Sequence, residues 1–344
     1  MAPTVGCNFW KEIIRCERTE QSSQDNGDRV GSLAMHLKRK LSGIGSSIAA
    51  SPKPAASKLN PWSSNPGHPR KRAFLCGVSY KEFKFKLKGV TTDVKCMKSL
   101  LLDQFNFPSE SVLVLTEEGS HDGIPTKANM QKALKWLVED CQSGDSLVFY
   151  FSGHGLRQPD FDEDELDGFD ETLCPVDFKT HGMILDNEIN ATIVRPLKQG
   201  VKLHAIIDAC HSGTVLDLEH VYNRIQQRWV DNKPPSGAYK GTSGGLAICI
   251  SACADDQMAA DTNALTGKEM AGALTTLFIQ AIKETPRITY GELLCELQKK
   301  IEDAKITGCL NVGILDKMFR RRLLQEAQLS SSEEFDVNDK ILEL

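Results

Sequence analysis

A histidine and a cysteine each stand just past an apolar run in this chain. SLVFYF (146–151) leads into Ser152, Gly153, His154 and Gly155, and VKLHAIID (201–208) leads into Ala209, Cys210, His211, Ser212 and Gly213. A thiolate attacks a carbonyl carbon well, provided that a base removes the thiol proton and hydrogen-bond donors hold the oxyanion that forms. His154 can be that base for Cys210 if the two runs are neighbouring strands. The backbone N–H groups of Gly155 and Cys210 can be the donors, since a glycine lets the chain approach a substrate closely. Taken singly, either residue reads as structural. The pairing changes that reading: both follow an apolar run directly, both are wrapped in Gly and Ser, and they lie 56 residues apart. His211, one residue past the cysteine, points elsewhere and reads as a bystander.

Positioning the pair requires a sheet, and the chain is patterned for one. AFLCGVSY (73–80), SVLVLT (111–116), SLVFYF, VKLHAIID and GLAICISA (245–252) read as buried strands. TDVKCMKSLLLDQF (92–105), TKANMQKALKWLVEDC (126–141), KEMAGALTTLFIQAIKE (268–284) and TYGELLCELQKKIED (289–303) read as helices. This alternation predicts an α/β fold, a central mostly parallel β-sheet flanked by helices on both faces. In such sheets chemistry gathers at the carboxyl ends of the strands, where His154 and Cys210 lie. The chain divides into a basic, mostly disordered N-terminal segment (1–72), a larger region carrying the histidine and cysteine (73–222), an exposed linker (223–244) containing Pro234 and Pro235, and a smaller region (245–344).

The charge total hides two opposite halves. Across 344 residues, 41 Lys and Arg oppose 46 Asp and Glu for a net charge of −5. Residues 1–72 nevertheless carry +7, and residues 73–344 carry −12. The composition excludes collagen, coiled coil and a wholly disordered chain. No run approaches the roughly 18 apolar residues of a membrane span, and the first twenty residues are charged where a signal peptide needs its apolar core. The expectation is a soluble cytoplasmic protein with no membrane partner, with PRKR (69–72) as a weak nuclear signal. Eleven cysteines, most in apolar runs, suit a reducing compartment. No C-x-x-C pair occurs, so no structural zinc is expected. Eight basic residues spread over positions 31–72, with few aromatics, make a poor nucleic-acid footprint.

At this level of detail the sequence resembles metacaspases, cysteine peptidases of the caspase-like clan, from about Arg72 to the C-terminus. The resemblance rests on FYFSGHG, DACHSG, the acidic DEDELDGFDETLCPVDF, the SACADDQMAAD stretch and the terminal EEFDV. A histidine about 50 residues before the nucleophile is also the caspase spacing. The short linker after the cysteine motif makes the chain look like a plant-like type I member, although the cysteine-rich zinc finger typical of that group's N-terminal segment is missing. The resemblance implies a caspase-like sandwich, Cys210 as nucleophile, His154 as base, and a monomeric catalytic domain. It also implies protein or peptide substrates cut after Arg or Lys, and a task in programmed cell death or stress.

A pocket for a basic side chain needs a carboxylate, because a desolvated cation without a partner is expensive. Asp208 lies two residues before Cys210, on the same side of the strand end by period-2 geometry, and is the leading candidate. By resemblance Asp93 and Ser152 complete the pocket, although Asp93 on its own reads as a helix cap or first-turn acid. Val90 stands where the family often has Cys. Legumain-like peptidases fit less well: they expect a secretory signal and a pocket for Asn.

From Asp160 to Glu171, eight of twelve residues are acidic, a density suited to a hard cation such as calcium. An EF-hand reading fails because Glu165 occupies the position that needs Gly. Resemblance implies a different calcium site, built from Asp170, Asp186, Asn187 and Asp217. Asn187 is usually Asp in the family, so one charge fewer should raise the calcium requirement. Metacaspases also process themselves after basic residues, which makes Arg72, Arg228, Lys233 and Lys240 candidate self-cleavage points and the basic arm a removable prosegment. A different class of reading is a scaffold or regulator of aggregation or cell death that keeps the fold without proteolysis.

Overall fold

β1 (Lys71–Gly77) leads through α1 (Val90–Asp103) to β2 (Val112–Thr116), and α2 (Lys127–Val138) returns the chain to β3 (Ser146–Ser152). In this computed structural model the described residues are 71–161, 165, 166, 168–210, 212–234, 236–252, 261, 262, 271–306 and 327–344. The expected N-terminal segment up to residue 70, His211 and most of the SACADDQMAAD stretch lie outside them. β4 (Gly155–Pro159), β5 (Phe169–Leu173) and β6 (Ile184–Leu185) form a small antiparallel sheet, with the short helix α3 (Phe178–His181) before its last strand. Another short helix, α4 (Asp186–Ile189), and a π-helical turn over Asn190–Val194 precede β7 (Lys202–Asp208). The hairpin β8 (His220–Asn223) and β9 (Arg228–Asp231), then β10 (Leu246–Ser251), follow. The paired β11 (Asp261–Thr262) and β12 (Ala271–Gly272), α5 (Ala273–Glu284), α6 (Tyr290–Ile306) and β13 (Gln328–Ser331) complete the described elements.

The main sheet has the order β2-β1-β3-β7-β10-β13-β8-β9. Its first five strands are parallel, and β13, β8 and β9 each run antiparallel to the strand before them. Strands β1, β3, β7 and β10 are buried almost throughout, which is why their sequences are near-continuous apolar runs instead of alternating ones. One face is covered by α1, α5 and α6. Val94, Met97 and Leu101 of α1 and Leu274, Leu277 and Phe278 of α5 share a core with Leu75, Tyr150, Ile206 and Ile248 of the strands. The spacing of three and four residues puts these side chains on one stripe of each helix. Gly77 lets α1 approach closely: a Cβ there would lie 2.6 Å from the Val94 side chain. α2 and the π-turn pack on the opposite side.

The registers place the strand ends that matter in one row. Gly77 pairs with Ser152, Ser152 with Asp208, and Ile207 with Ser251. The chain steps from β1 to β2 in one direction and from β3 through β7 to β10 in the other, so the order reverses between β1 and β3. Crevices at such reversals, outside the carboxyl ends of the strands, are where α/β sheets bind ligands.

β1 begins at Lys71, close to the expected start near residue 73, and Arg72 is a buried strand residue whose guanidinium lies over the Trp136 ring and donates to the Trp136 carbonyl. The Arg72–Ala73 bond thus lies inside a strand held between β2 and β3. The stretch 223–244 is not simply an exposed linker, because the β8–β9 hairpin extends the main sheet. Tyr222 and Trp229 pack edge-on, Trp229 packs on Phe335, and its indole N–H donates to the Phe335 carbonyl. Apolar residues hidden among polar ones supplied that pairing. Lys240, finally, is 1% exposed. Arg228 and Lys233 remain at the surface. No helix among the described residues is long and apolar enough to cross a membrane.

Candidate active site

Ser152 of β3 and Asp208 of β7 are register partners, so His154 and Cys210, each two residues farther on, leave the same sheet edge from adjacent strands. The Gly153 N–H donates to the Asp208 carbonyl at 3.3 Å and ties the two strand ends together. The Cys210 thiol is half-buried, whereas Cys76, Cys141, Cys174 and Cys249 are buried in the core.

The His154 ring is held on three sides. It packs on Tyr80 with centroids 4.6 Å apart and against the edge of Phe85 at 5.7 Å. Its Nε2 lies 2.8 Å from the Phe85 carbonyl oxygen. A carbonyl only accepts, so this contact assigns the proton to Nε2 and leaves the Nδ1 lone pair as the basic site. Burial lowers the His154 pKa below the ordinary histidine value, partly opposed by the Phe85 hydrogen bond, so the ring is neutral near pH 7. A neutral imidazole is what a base requires.

Tyr80 is a functional neighbour that sequence reasoning missed. Its hydroxyl accepts from the His154 backbone N–H at 3.0 Å and donates to the Cys174 carbonyl at 2.6 Å. The Cys174 N–H meanwhile donates to the His154 carbonyl at 3.1 Å. The hydroxyl thus stands in for one rung of the β4–β5 ladder at His154. Tyr80 adopts a left-handed φ of 51° to reach it, a conformation a tyrosine holds only when its surroundings enforce it. Its place just past β1, at the same sheet edge as His154, was the available signal. Phe85, which lies in no regular element, left none.

Gly155 follows from the same ladder. Because the residues 154 and 174 form the hydrogen-bonded pair, Gly155 opposite Leu173 is in the other phase and its N–H points away from β5. Its Cα presses on the Cys210 backbone: a Cβ there would lie 2.1 Å from the Cys210 carbonyl oxygen. Neither group is a flexible side chain end, so Gly155→Ala must displace Cys210 or the β4 strand. We expect a loss of about 10²-fold in kcat from misplaced reacting groups and about 1–3 kcal/mol of stability from overpacking. Steady-state kinetics and a urea midpoint would measure both, and an Ala variant with wild-type kcat would remove Gly155 from the machinery.

The three expected pocket residues come together and are nearly closed from solvent: Asp93 is 2%, Ser152 3% and Asp208 5% exposed. Asp93 lies in the first turn of α1, whose N-cap is Gly89, and its Oδ2 is a long 3.5 Å from the Ser152 hydroxyl. The Thr275 N–H and hydroxyl donate to Asp208 Oδ2 at 2.8 and 2.6 Å. Having spent its proton there, the Thr275 hydroxyl accepts from the Tyr150 hydroxyl at 2.8 Å. Burial raises the Asp208 pKa, and the two Thr275 bonds oppose the rise. Thr275 and Tyr150 were invisible as site residues in the sequence, Thr275 because it lies in an apolar helix far along the chain.

The expected cation ligands gather beside the small sheet. Asp170, Asp186 and Asp217 are buried, as is Glu171, and Asn187 is half-buried. The Glu171 N–H donates to Asp186 Oδ2, and the Asn187 N–H to Asp186 Oδ1, each at 2.7 Å. The Gln158 amide donates to Asp170. Glu171 is neutralised by Arg157 at 3.1 Å and bonded by the Thr214 hydroxyl at 2.7 Å. Burial, and then Asp217, Glu171 and Glu165, raise the Asp186 pKa well above the usual carboxylate range. Among the described residues no three His, Cys, Asp or Glu side chains are grouped as a ready metal cage. A lysine reaches the cluster instead: Lys240 Nζ contacts Asp217 Oδ1 and lies 2.7 Å from Glu165 Oε1.

Residues 71–219 match the metacaspase, peptidase C14 domain family. The chain is 50% identical to metacaspase-1 of Arabidopsis thaliana, covering 79% of this chain and 78% of that protein. It is 49% identical to metacaspase-3 of the same plant over 78% of this chain and 74% of the relative. It is 34% identical to metacaspase-1B of Aspergillus fumigatus, over 78% and 71%. A crystal structure of a Geobacter sulfurreducens protein shares the fold at a TM-score of 0.50 and 20% identity, over 79% of this chain and 98% of the other. The paired strand ends, the histidine held as a base and these similarities converge: the chain belongs to the plant-like metacaspases, cysteine peptidases of the caspase-like family.

Proposed function

We propose that this metacaspase is a calcium-activated endopeptidase that cuts peptide bonds after Arg or Lys and processes itself, acting in the cytoplasm in programmed cell death or stress. The observation that carries the specificity is the buried carboxylate pair Asp93 and Asp208 beside Cys210. A pocket for an acidic side chain would need a cation there, and two desolvated carboxylates would repel such a substrate.

The chemistry follows from the site. His154 Nδ1 takes the Cys210 Sγ proton as the sulfur bonds to the substrate carbonyl carbon. The N–H groups of Gly155 and Cys210 hold the oxyanion. Collapse breaks the C–N bond, His154 returns the proton to the departing amine, and a thioester remains. Water then attacks with His154 as base, releasing the acid and restoring the thiol.

Calcium is the fitting cation for an oxygen-only donor set, and Asp170, Asp186, Asn187 and Asp217 would hold it. Bound there, it would neutralise a cluster whose repulsion already pushes up the Asp186 pKa. For self-processing, Lys233 is the exposed candidate in a loop, the one after β9, whereas Arg228, also exposed, lies in the edge strand itself.

The reading is tested with fluorogenic peptides ending in Arg, Lys or Asp over a calcium series. Expected are calcium-dependent hydrolysis of the Arg and Lys peptides only, and a lower half-activating calcium concentration for Asn187→Asp. Cleavage after Asp, or full activity in chelator, would sink the respective half.

A further inference from the structure

The segment that follows the β8–β9 hairpin runs over the surface, yet one lysine is driven inward from it. Ser236, Gly237 and Tyr239 are exposed, while the next residue, Lys240, is 1% exposed. Its ammonium joins two parts of the acidic region that are far apart in sequence, Glu165 in the β4–β5 loop and Asp217 in the loop after the nucleophile. The backbone is fastened at the same point. The buried Asn190 amide donates to the carbonyls of Leu216, Asp217 and Lys240, at 3.1, 2.9 and 3.0 Å, and its oxygen accepts from Arg195. One π-turn side chain therefore holds the Asp217 loop and the Lys240 strap together.

A long, flexible side chain gives up much of its freedom to be buried, and burial of a charge is costly. The arrangement persists because the carboxylates around it need a positive charge. Glu171 has Arg157 beside it, and Lys240 brings a positive charge to Glu165 and Asp217. We propose that the Lys240 ammonium is the resident counter-ion of this cluster, that a calcium ion binds by displacing it from Asp217, and that the displaced strap carries Lys240 to the surface. The inference rests on the calcium reading above and adds to it a built-in competitor. The competitor sets a threshold: calcium must outbid one positive charge that is tethered within reach and never diffuses away. The release also couples the cation site to the shape of the strap, since both compete for Asp217.

The test uses full-length Cys210→Ala protein, which cannot cut itself. Calcium binding is measured by calorimetry with and without Lys240→Gln, and Lys240 exposure is measured by amine acetylation mapped by mass spectrometry. Expected are calcium binding at least tenfold tighter in Lys240→Gln, and Lys240 protected from acetylation in chelator but labelled as calcium saturates the site. If Lys240→Gln fails to fold, the acetylation profile of the Cys210→Ala protein alone decides. Calcium binding that leaves Lys240 protected, or affinities equal within twofold, would overturn the displacement while leaving the calcium reading intact. No calcium binding by either protein would overturn both.

Discussion

Cys210→Ala is expected to reduce hydrolysis of Arg- and Lys-ended peptides by at least ~10³-fold while leaving the fold and peptide binding in place, because only the covalent step is lost. His154→Ala should fall nearly as far, and the double variant no farther, since residues that act as one unit are not additive. The pH profile separates two forms of that unit. Burial lowers the His154 pKa, so the imidazole stays neutral further into acid than a free histidine would. The sign is fixed by which form desolvation penalises: the imidazolium is the charged form, so the neutral base gains. If the resting pair is a neutral thiol beside a neutral imidazole, kcat/KM rises as His154 deprotonates, with its acid limb below the ordinary ~6.5. A pre-formed thiolate–imidazolium pair would instead show histidine on the alkaline limb. An alkaline limb above about 8 that vanishes in His154→Ala-based rescue with imidazole would reject the neutral pair. Residual activity of Cys210→Ala equal to wild type would reject the nucleophile altogether.

The parts of this site that the sequence announced are those carried by strands. Apolar runs that stop abruptly in Gly, Ser, His and Cys told where β3 and β7 end, and the register pairing of Ser152 with Asp208 follows from two parallel neighbours of similar length. Residues that act through loops or from distant helices left no comparable trace. Phe85 contributes a backbone carbonyl, which every residue has, and a ring edge set against His154 from an irregular loop that no local pattern marks. Thr275 looks like any polar residue in an amphipathic helix until α5 folds back over the sheet and brings it to Asp208. The linker misreading has the opposite cause. Apart from Ile225, Asn223 to Gln227 is polar and turn-forming, and it hid the short strands on either side, whose Tyr222 and Trp229 are half-buried in a stack that Phe335 completes from the far end of the chain. Lys240 belongs to the same class: nothing local distinguishes a lysine that a surface strap turns inward from one that it turns outward.

Asp208→Asn is the substitution expected to remove substrate preference without removing the nucleophile. Both hydrogen bonds to Asp208 land on Oδ2, from the Thr275 N–H and hydroxyl, which leaves Oδ1 to meet a substrate cation. The hydroxyl of Tyr150 fixes Thr275 in turn, so the carboxylate is held before substrate arrives. Burial raises the Asp208 pKa, which means that the empty pocket holds its charge at a cost and that a guanidinium or ammonium entering beside it relieves that cost. Asn keeps the shape and an acceptor for Thr275 but takes away the charge. Loss of one partner of a buried charge pair costs about 2–5 kcal/mol, so kcat/KM for an Arg peptide should fall by about 10²-fold or more. A peptide with citrulline in place of Arg, equal in shape and uncharged, should be cut by wild type and variant at comparable rates. Alkylation of Cys210 by iodoacetamide should stay within about twofold of wild type, because the thiol and His154 are untouched. An Asn variant that still prefers Arg to citrulline by the wild-type ratio would place the cation elsewhere, and Asp93→Asn would then be the substitution to carry the loss. If both carboxylates share the cation, each single change should weaken the preference and the pair should abolish it, with a coupling larger than independent sites would show.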